Sequence, residues 1–271
     1  MLYPSDMPRN GELARHESLV GQEIFTHLQN LDEHWNHLIL LDEVDSTNAY
    51  IQRNINRVVP GNPLLVTADE QTIGIGRLQR TWQSPFGAGI ALSLGVAQQD
   101  IIHELPPIPL IVGLAVHEAL QDFGVDCALK WPNDVVFLSS EGLRKVGGIL
   151  VQRFQHSVVV GIGLNVGLQL NERPTEIATS LNIEGYDISR EELIAQIINR
   201  VHQRLCDQLD WFEGYRQACS SLGRIVRVTQ IDNVCFSGTA IRIDDDGALV
   251  VQTSHGEKRI TVGDVNHATV E

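Results

Sequence analysis

The sequence predicts an α+β protein: a mixed, largely antiparallel sheet flanked by helices, followed by a small all-β unit. Three observations carry this. Apolar segments of strand length dominate residues 38–165, with two helical patterns among them. A further helical pattern, apolar at every fourth position, begins near Arg190. After Gly223 short strand-like segments are separated by "IDN", "DDDG", "SHG" and "GD", all turn chemistry.

Taken in order, residues 18–36 place Leu19, Val20, Ile24, Leu28 and Leu31 at near-helical spacing, which predicts a short helix ahead of the main domain. "HLILLDEV" reads as a buried strand and "DSTNAYIQRNI" as a helix capped by Asp45 or Ser46. Strands follow at "PLLVTAD" and "GIALSLGVA", and "PLIVGLAVHEALQDFG" is a helix stopped by Gly124. "VDCALKW" and "NDVVFL" are strands on either side of Pro132, and "SSEGLR" is a polar hairpin loop. "KVGGILVQRF" and "SVVVGIGLNV" pair through a turn near His156 and Ser157. A long helix is predicted from about Arg190 to Ser220, opened by a Ser189–Glu192 capping box, with Leu193, Ile197, Val201, Leu205 and Leu209 on its buried face. "RIVRVTQ", "VCFSGTAIRI", "GALVVQT", "EKRITV" and "NHATVE" then form a barrel of roughly 50 residues.

The chain of 271 residues has a formal net charge of -14, which argues against general nucleic-acid binding, because that affinity comes from cationic side chains neutralising phosphates. Local cations between Arg77 and Arg80 and between Lys130 and Lys145 still suit a small anionic ligand. No apolar run approaches the roughly 20 residues of a membrane span, and no signal-peptide pattern opens the chain, so a cytoplasmic protein without membrane contact is expected. Cys127, Cys206, Cys219 and Cys235 lack zinc-ligand spacing, and His34 and His37 show no cysteine or acidic partner pattern of a metal site; no structural metal is implied.

Four stretches carry chemistry. "DEQTIGIGRLQRTWQSP" sets Gly74 and Gly76 around Ile75 and adds Arg77, Arg80 and Trp82; glycine suits a loop that bends or admits close approach, and arginine suits an anion. "DSTN", "KWPND" with "KVGGIL", and "GIGLN" accompany it. Each also has a plain structural reading: a helix cap, a β-bulge and a crowded sheet centre, respectively. The sequence has no G-x-x-x-x-G-K-[ST] phosphate loop, no third glycine at dinucleotide spacing and no G-x-S-x-G elbow.

The order "DSTN", "EQTIGIGRLQRTWQSPFGAGI", "KWPNDV", "KVGGILVQ", "GIGLNVG" and "ATSL" resembles the biotin protein ligase family, from about Leu38 to Leu181 and again in the C-terminal barrel. After the helical extension expected over 1–37, the resemblance implies a class II synthetase-like biotin-lipoate ligase catalytic domain over 38–222 and an SH3-like domain over 223–271. It implies that biotin and ATP, with Mg²⁺, yield biotinyl-5′-AMP, and that a lysine of a biotin carboxyl carrier protein then accepts the biotinyl group. A carboxylate approaching a polyphosphate needs positive charge, which Mg²⁺, Arg77 and Lys145 would supply. By the same resemblance Ser46, Thr47, Asn48, Gln71 and Gly76 line the biotin site, and Lys145 meets the biotin carboxylate and the phosphate. Gly148, Gly161 and Gly163 let backbone pass close to the ligand, while Gly74, Arg80, Asn133 and Asn165 lie toward the nucleotide. Asp134 orients or deprotonates the acceptor lysine, and Trp82 packs against the closed loop. Lys130 stays open between a solvated strand position and an active-site one.

Two other readings stand beside this one: a lipoate or octanoate ligase or transferase of the same wider fold, and a biotin or nucleotide sensor without turnover. Family members occur as monomers and dimers, so a homodimer remains open. The stretch before Leu38 is too short for the winged helix-turn-helix of the repressor members plus a linking helix, and no DNA binding is expected. The spacer "VVFLSSEGLR" is longer than the family's, which predicts a longer hairpin. The clearest departure is Ile75, where the family's loop carries arginine, so a charge and its donors are missing. The loop is therefore expected either to order differently or to let biotinyl-AMP leave the natural protein faster than it leaves an Ile75→Arg variant; equal release rates would remove support for the second outcome.

Overall fold

The structure, a computed structural model, describes residues 16–31, 38–83, 85–140, 142–206, 210–230 and 234–267. His34, His37, Leu209, the "IDN" turn and most of the expected N-terminal extension lie outside those residues, as does the Leu31 side chain. The elements run α1 (Gly21–Leu31), β1 (Leu38–Val44), α2 (Thr47–Arg53), β2 (Leu64–Gln71), β3 (Gly89–Ala97), α3 (Ile108–Asp122), β4 (Ala128–Lys130), β5 (Asp134–Ser139), β6 (Gly142–Phe154), β7 (Ser157–Asn165), α4 (Arg190–Cys206) and α5 (Phe212–Ala218). A C-terminal β domain follows with β8 (Ile225–Thr229), β9 (Cys235–Ile243), β10 (Leu249–Thr253), β11 (Gly256–Ile260) and β12 (Asp264–His267).

The first seven strands form one sheet in the order β1-β2-β3-β7-β6-β5-β4, in which only β1 and β2 run parallel. Alternation along each strand divides its two faces. Ile90, Leu92 and Leu94 of β3 and Val158, Val160, Ile162 and Leu164 of β7 point into a large core shared with α1, α3 and α4. The opposite face has a smaller core, where Ile51 of α2 meets Val66 and Val159. Beyond that small core the face is polar and glycine-rich, and the cleft lies there.

Local chemistry explains most elements. Ser46 caps α2, its hydroxyl accepting from Ala49 N–H at 3.5 Å, and Gly124, at φ +75°, ends α3 in the left-handed region that favours glycine. Leu193, Ile197 and Val201 of α4 are fully buried, each contributing roughly 1.5–3 kcal/mol by leaving water. Ser189 Oγ accepts from Glu192 N–H at 3.2 Å as a cap should, although the hydroxyl itself is turned onto Glu191 Oε2 at 3.0 Å.

Three expectations are corrected. The single helix from Arg190 to Ser220 is two helices, because Asp210 Oδ1 captures Phe212 N–H at 3.0 Å and begins a new one, which buries Trp211 and Tyr215. The "SSEGLR" loop is shorter than expected: β6 already starts at Gly142, and Arg144 pairs with Phe137. Asp264, read as part of a turn, opens β12.

The chain just before α1 is fastened to the sheet by a buried charge pair. Asp69 Oδ1 accepts from Arg190 Nη1 at 3.1 Å and from Leu19 N–H at 2.9 Å, while Arg190 also donates to the carbonyls of Gly89 and Glu17. Breaking one partner of such a pair leaves a buried charge uncompensated.

The C-terminal strands are ordered β11-β10-β9-β8-β12, all antiparallel, and their apolar face joins the same large core. Trp131, beside the cis Trp131–Pro132 peptide, is the main rivet: its indole N–H donates to Gly247 O at 2.9 Å. Its backbone N–H donates to Ser221 Oγ at 3.3 Å, and that hydroxyl stands 3.1 Å from His267 Nε2. Burial, reinforced by the charges of Lys130 and Arg224, pushes the His267 imidazole down to about 4, so the folded state favours the neutral ring as acceptor for Ser221. The unfolded chain binds this proton near pH 6.5, so the contribution is complete above that value and is lost as pH falls toward 4. A His267→Gln variant is expected to show a shallower fall in denaturation midpoint between pH 6.5 and 4; parallel profiles would refute the assignment.

Candidate active site

Two strands with glycine on one face create the cleft floor. Gly163 of β7 pairs with Gly148 of β6, and Gly161 with Leu150, so Gly161 and Gly163 share a face about 7 Å apart. A Cβ on Gly161 would lie 2.4 Å from Asn48 Oδ1, and one on Gly163 would lie 2.5 Å from Trp82 Cε2. Glycine at these positions is a steric requirement. The cleft above encloses about 430 Å³.

Over Gly161 stands a neutral polar cluster. Gln71 Oε1 accepts from Thr47 N–H at 2.9 Å and lies 3.1 Å from Thr47 Oγ1. Ser93 Oγ is 2.7 Å from Thr47 Oγ1 and 2.6 Å from Asn48 Oδ1; since that amide oxygen only accepts, the Ser93 hydroxyl donates to it. Asn48 Nδ2 in turn donates to Gln152 Oε1 at 2.9 Å. Ser46, Thr47, Asn48 and Ser93 are all buried, so these bonds fix the orientation of every group.

Over Gly148 the character changes to charge. A β-bulge at Val146, where Val135 pairs with Gly147 but Val136 with Lys145, aims Lys145 into the cleft. Its ammonium donates to Asp134 Oδ1 at 2.6 Å and lies 5.6 Å from the centre of the Trp82 ring. Lys130 Nζ is 3.5 Å from Asp134 Oδ2. The Lys145 backbone is pinned on its other side, its N–H on Ile177 O at 2.6 Å and its carbonyl accepting from Thr179 N–H at 2.9 Å.

The glycine-arginine stretch arches over the mouth as a small hairpin. Trp82 N–H donates to Gly74 O at 2.8 Å and Gly76 N–H to Arg80 O at 2.7 Å. Gly74 allows the two arms to touch, since a Cβ there would sit 2.3 Å from Trp82 O. The tip bends at Leu78 and Gln79, with φ of +54° and +58°, and not at Gly76, which is extended. Arg77 donates to Asn133 Oδ1 at 3.2 Å and to Gly263 O of the C-terminal β domain at 3.3 Å, and Arg80 pairs with Asp264. Burial outweighs the nearby Asp264 and Asp134 carboxylates and holds the Arg77 guanidinium below its usual range.

Ser46, Thr47, Asn48, Gln71, Gly76, Arg77, Arg80, Asn133, Asp134, Lys145, Gly148, Gly161, Gly163 and Asn165 therefore all line one cleft, while Gly74 lies in the hairpin stem. Sequence reasoning missed Ser93, Gln152 and Asp264. Ser93 left a signal as the lone hydroxyl in an apolar strand; Asp264 left none, because its partner is 184 residues away.

Residues 40–168 match the Biotin/lipoate A/B protein ligase family, and residues 221–267 match the Biotin protein ligase C terminal domain. The Bifunctional ligase/repressor BirA of Bacillus subtilis is 32% identical over 247 residues, covering 84% of this chain and 73% of that protein. The chain belongs to the biotin protein ligase family. The Biotin--[acetyl-CoA-carboxylase] ligase of Mycobacterium tuberculosis is 28% identical, covering 86% of this chain and 90% of that one. Among solved structures, biotin protein ligase from Aquifex aeolicus in complex with biotin and ATP superposes with a TM-score of 0.73 at 30% identity, covering 86% of this chain and 100% of that chain.

In this ligase the Trp82 ring and the glycine floor are one device. On the biotin-binding reading proposed below, Gly163→Ala is expected to displace the ring and weaken that binding about tenfold or more, roughly 1.4 kcal/mol, in calorimetric titration. Adding Trp82→Ala should recover part of that loss, since the colliding atoms are gone. Unchanged affinity in Gly163→Ala would show that the ring's seat on β7 does not matter.

Proposed function

We propose that the protein activates biotin with ATP to biotinyl-5′-AMP and transfers the biotinyl group to a lysine of a biotin carboxyl carrier domain. One observation carries this reading: a neutral cluster of hydroxyls and amides over Gly161 grades, within a single cleft, into the cations Lys145 and Arg77. Such a gradient suits a ligand with an uncharged hydrogen-bonding head and an anionic tail. The ureido ring of biotin matches the Thr47, Asn48 and Gln71 end, and its carboxylate matches the Lys145 end.

In the first half-reaction a biotin carboxylate oxygen attacks the α-phosphorus of ATP in line. The bond from that phosphorus to the bridging oxygen breaks, and pyrophosphate leaves with the electron pair. Lys145 would exchange Asp134 for the carboxylate and the phosphate, and Arg77 would close the hairpin over the new anion. ATP would enter as its magnesium complex; among the described residues no group of three or more His, Cys, Asp or Glu is placed to hold a metal by itself. In the second half-reaction the acceptor amine attacks the acyl carbon, the carbon–oxygen bond to AMP breaks, and AMP leaves. Asp134 lines the same cleft and would receive the first proton of the acceptor ammonium.

The polar cluster also argues against lipoate or octanoate, whose distal ends offer a dithiolane or a methyl group to four buried polar side chains. Pyrophosphate exchange into ATP should require biotin, and Lys145→Ala should lower it by about 10²–10³-fold. Exchange with lipoate alone would overturn the proposal, and biotin binding without any exchange would favour a sensor.

A further inference from the structure

Lys130 has no task in the mechanism above, yet it is one of two ammonium groups on the same carboxylate. In the β4–β5 hairpin Lys130 pairs directly with Asp134, which sets both side chains on one face of the sheet. Lys145 approaches the same carboxylate from β6, on the cleft side, and its side chain is 31% exposed against 17% for Lys130. The two oxygens are divided between them, Oδ1 to Lys145 at 2.6 Å and Oδ2 to Lys130 at 3.5 Å.

We infer that Lys130 is a positioning residue for the second half-reaction, holding Asp134 Oδ2 so that Oδ1 stays aimed into the cleft once Lys145 has moved to the phosphate. The inference rests on the function proposed above. As long as Lys145 sits on Oδ1, the carboxylate is covered and cannot receive another ammonium. Phosphate chemistry draws Lys145 away, and Oδ1 is then uncovered in the half-reaction that needs it. Without Lys130 the carboxylate would be left half-buried with no ammonium partner, and Arg77 of the hairpin would be the next cation to draw it. Among the described residues Tyr215 of α5, whose hydroxyl burial keeps protonated, also faces Asp134, Asp264 shares Arg77 with it, and His267 of the C-terminal β domain feels the charges of Lys130 and Arg224. The acceptor ammonium gives one proton to Oδ1 and attacks the acyl carbon. The bond to AMP then breaks with its electron pair on the phosphate oxygen, and the second proton leaves with solvent.

The test uses the full chain, a biotin carboxyl carrier domain and preformed biotinyl-AMP in single turnover, with biotin-dependent pyrophosphate exchange measured alongside. In Lys130→Met, transfer at pH 7 should fall about tenfold or more, whereas exchange should fall no more than about threefold. A free lysine amine titrates near 10.4, so raising the pH supplies neutral acceptor without help, and the transfer deficit should shrink to about threefold by pH 9.5. Lys130→Arg should restore transfer to within about threefold of the natural protein. A deficit that is absent, independent of pH, or equal in exchange and transfer would overturn the inference, an unfolded Lys130→Met falling in the last group. Failure of the underlying proposal shows separately, as a natural protein with no biotin-dependent exchange.

Discussion

The cleft exists because three backbone positions carry no side chain. Gly148, Gly161 and Gly163 clear one face of the two central antiparallel strands, and Asn48, Trp82 and Lys145 rest on what would otherwise be Cβ atoms. Alternation makes the constraint one-sided: Ile162 and Leu164 point the other way into the core, so β7 is a packed core strand and a bare ligand floor together. Every polar group of the site is positioned relative to that floor.

Electrostatics sharpen the same geometry. A chain with a formal charge of -14 gathers Arg77, Arg80, Lys130 and Lys145 around one opening, and the structure binds each to an internal partner. Asp134 takes two lysines, Asp264 takes Arg80, and Asn133 takes Arg77. A polyphosphate would find these cations already oriented and would compete for them. The neutral cluster at the other end keeps its hydroxyls and amides in mutual hydrogen bonds, which orients them without adding charge.

The C-terminal β domain takes part in this arrangement. Its core is continuous with that of the large sheet, Trp131 is anchored on Gly247, and Gly263 and Asp264 receive the two arginines of the hairpin. The hairpin is thus held by both units, with its strained bend at Leu78 and Gln79 between the two arginine contacts.

Much of this was legible in the sequence, because the signals were local. Hydrophobic period, caps and turn residues located nearly every strand and helix, and "DSTN", the glycine-arginine stretch, "KWPND", "KVGGIL" and "GIGLN" all contribute residues to one cleft. The failures share a cause. A helical period continued past Cys206, but Asp210 restarts the helix through a side-chain bond that periodicity does not register. Ser93, Gln152 and Asp264 entered the site through contacts with partners 45, 104 and 184 residues away. The sequence by itself determined which elements form and which residue types could meet an anion. Tertiary structure alone decided which of those residues face each other, because sheet order, the bulge at Val146 and the docking of the β domain depend on packing between segments that carry no record of one another.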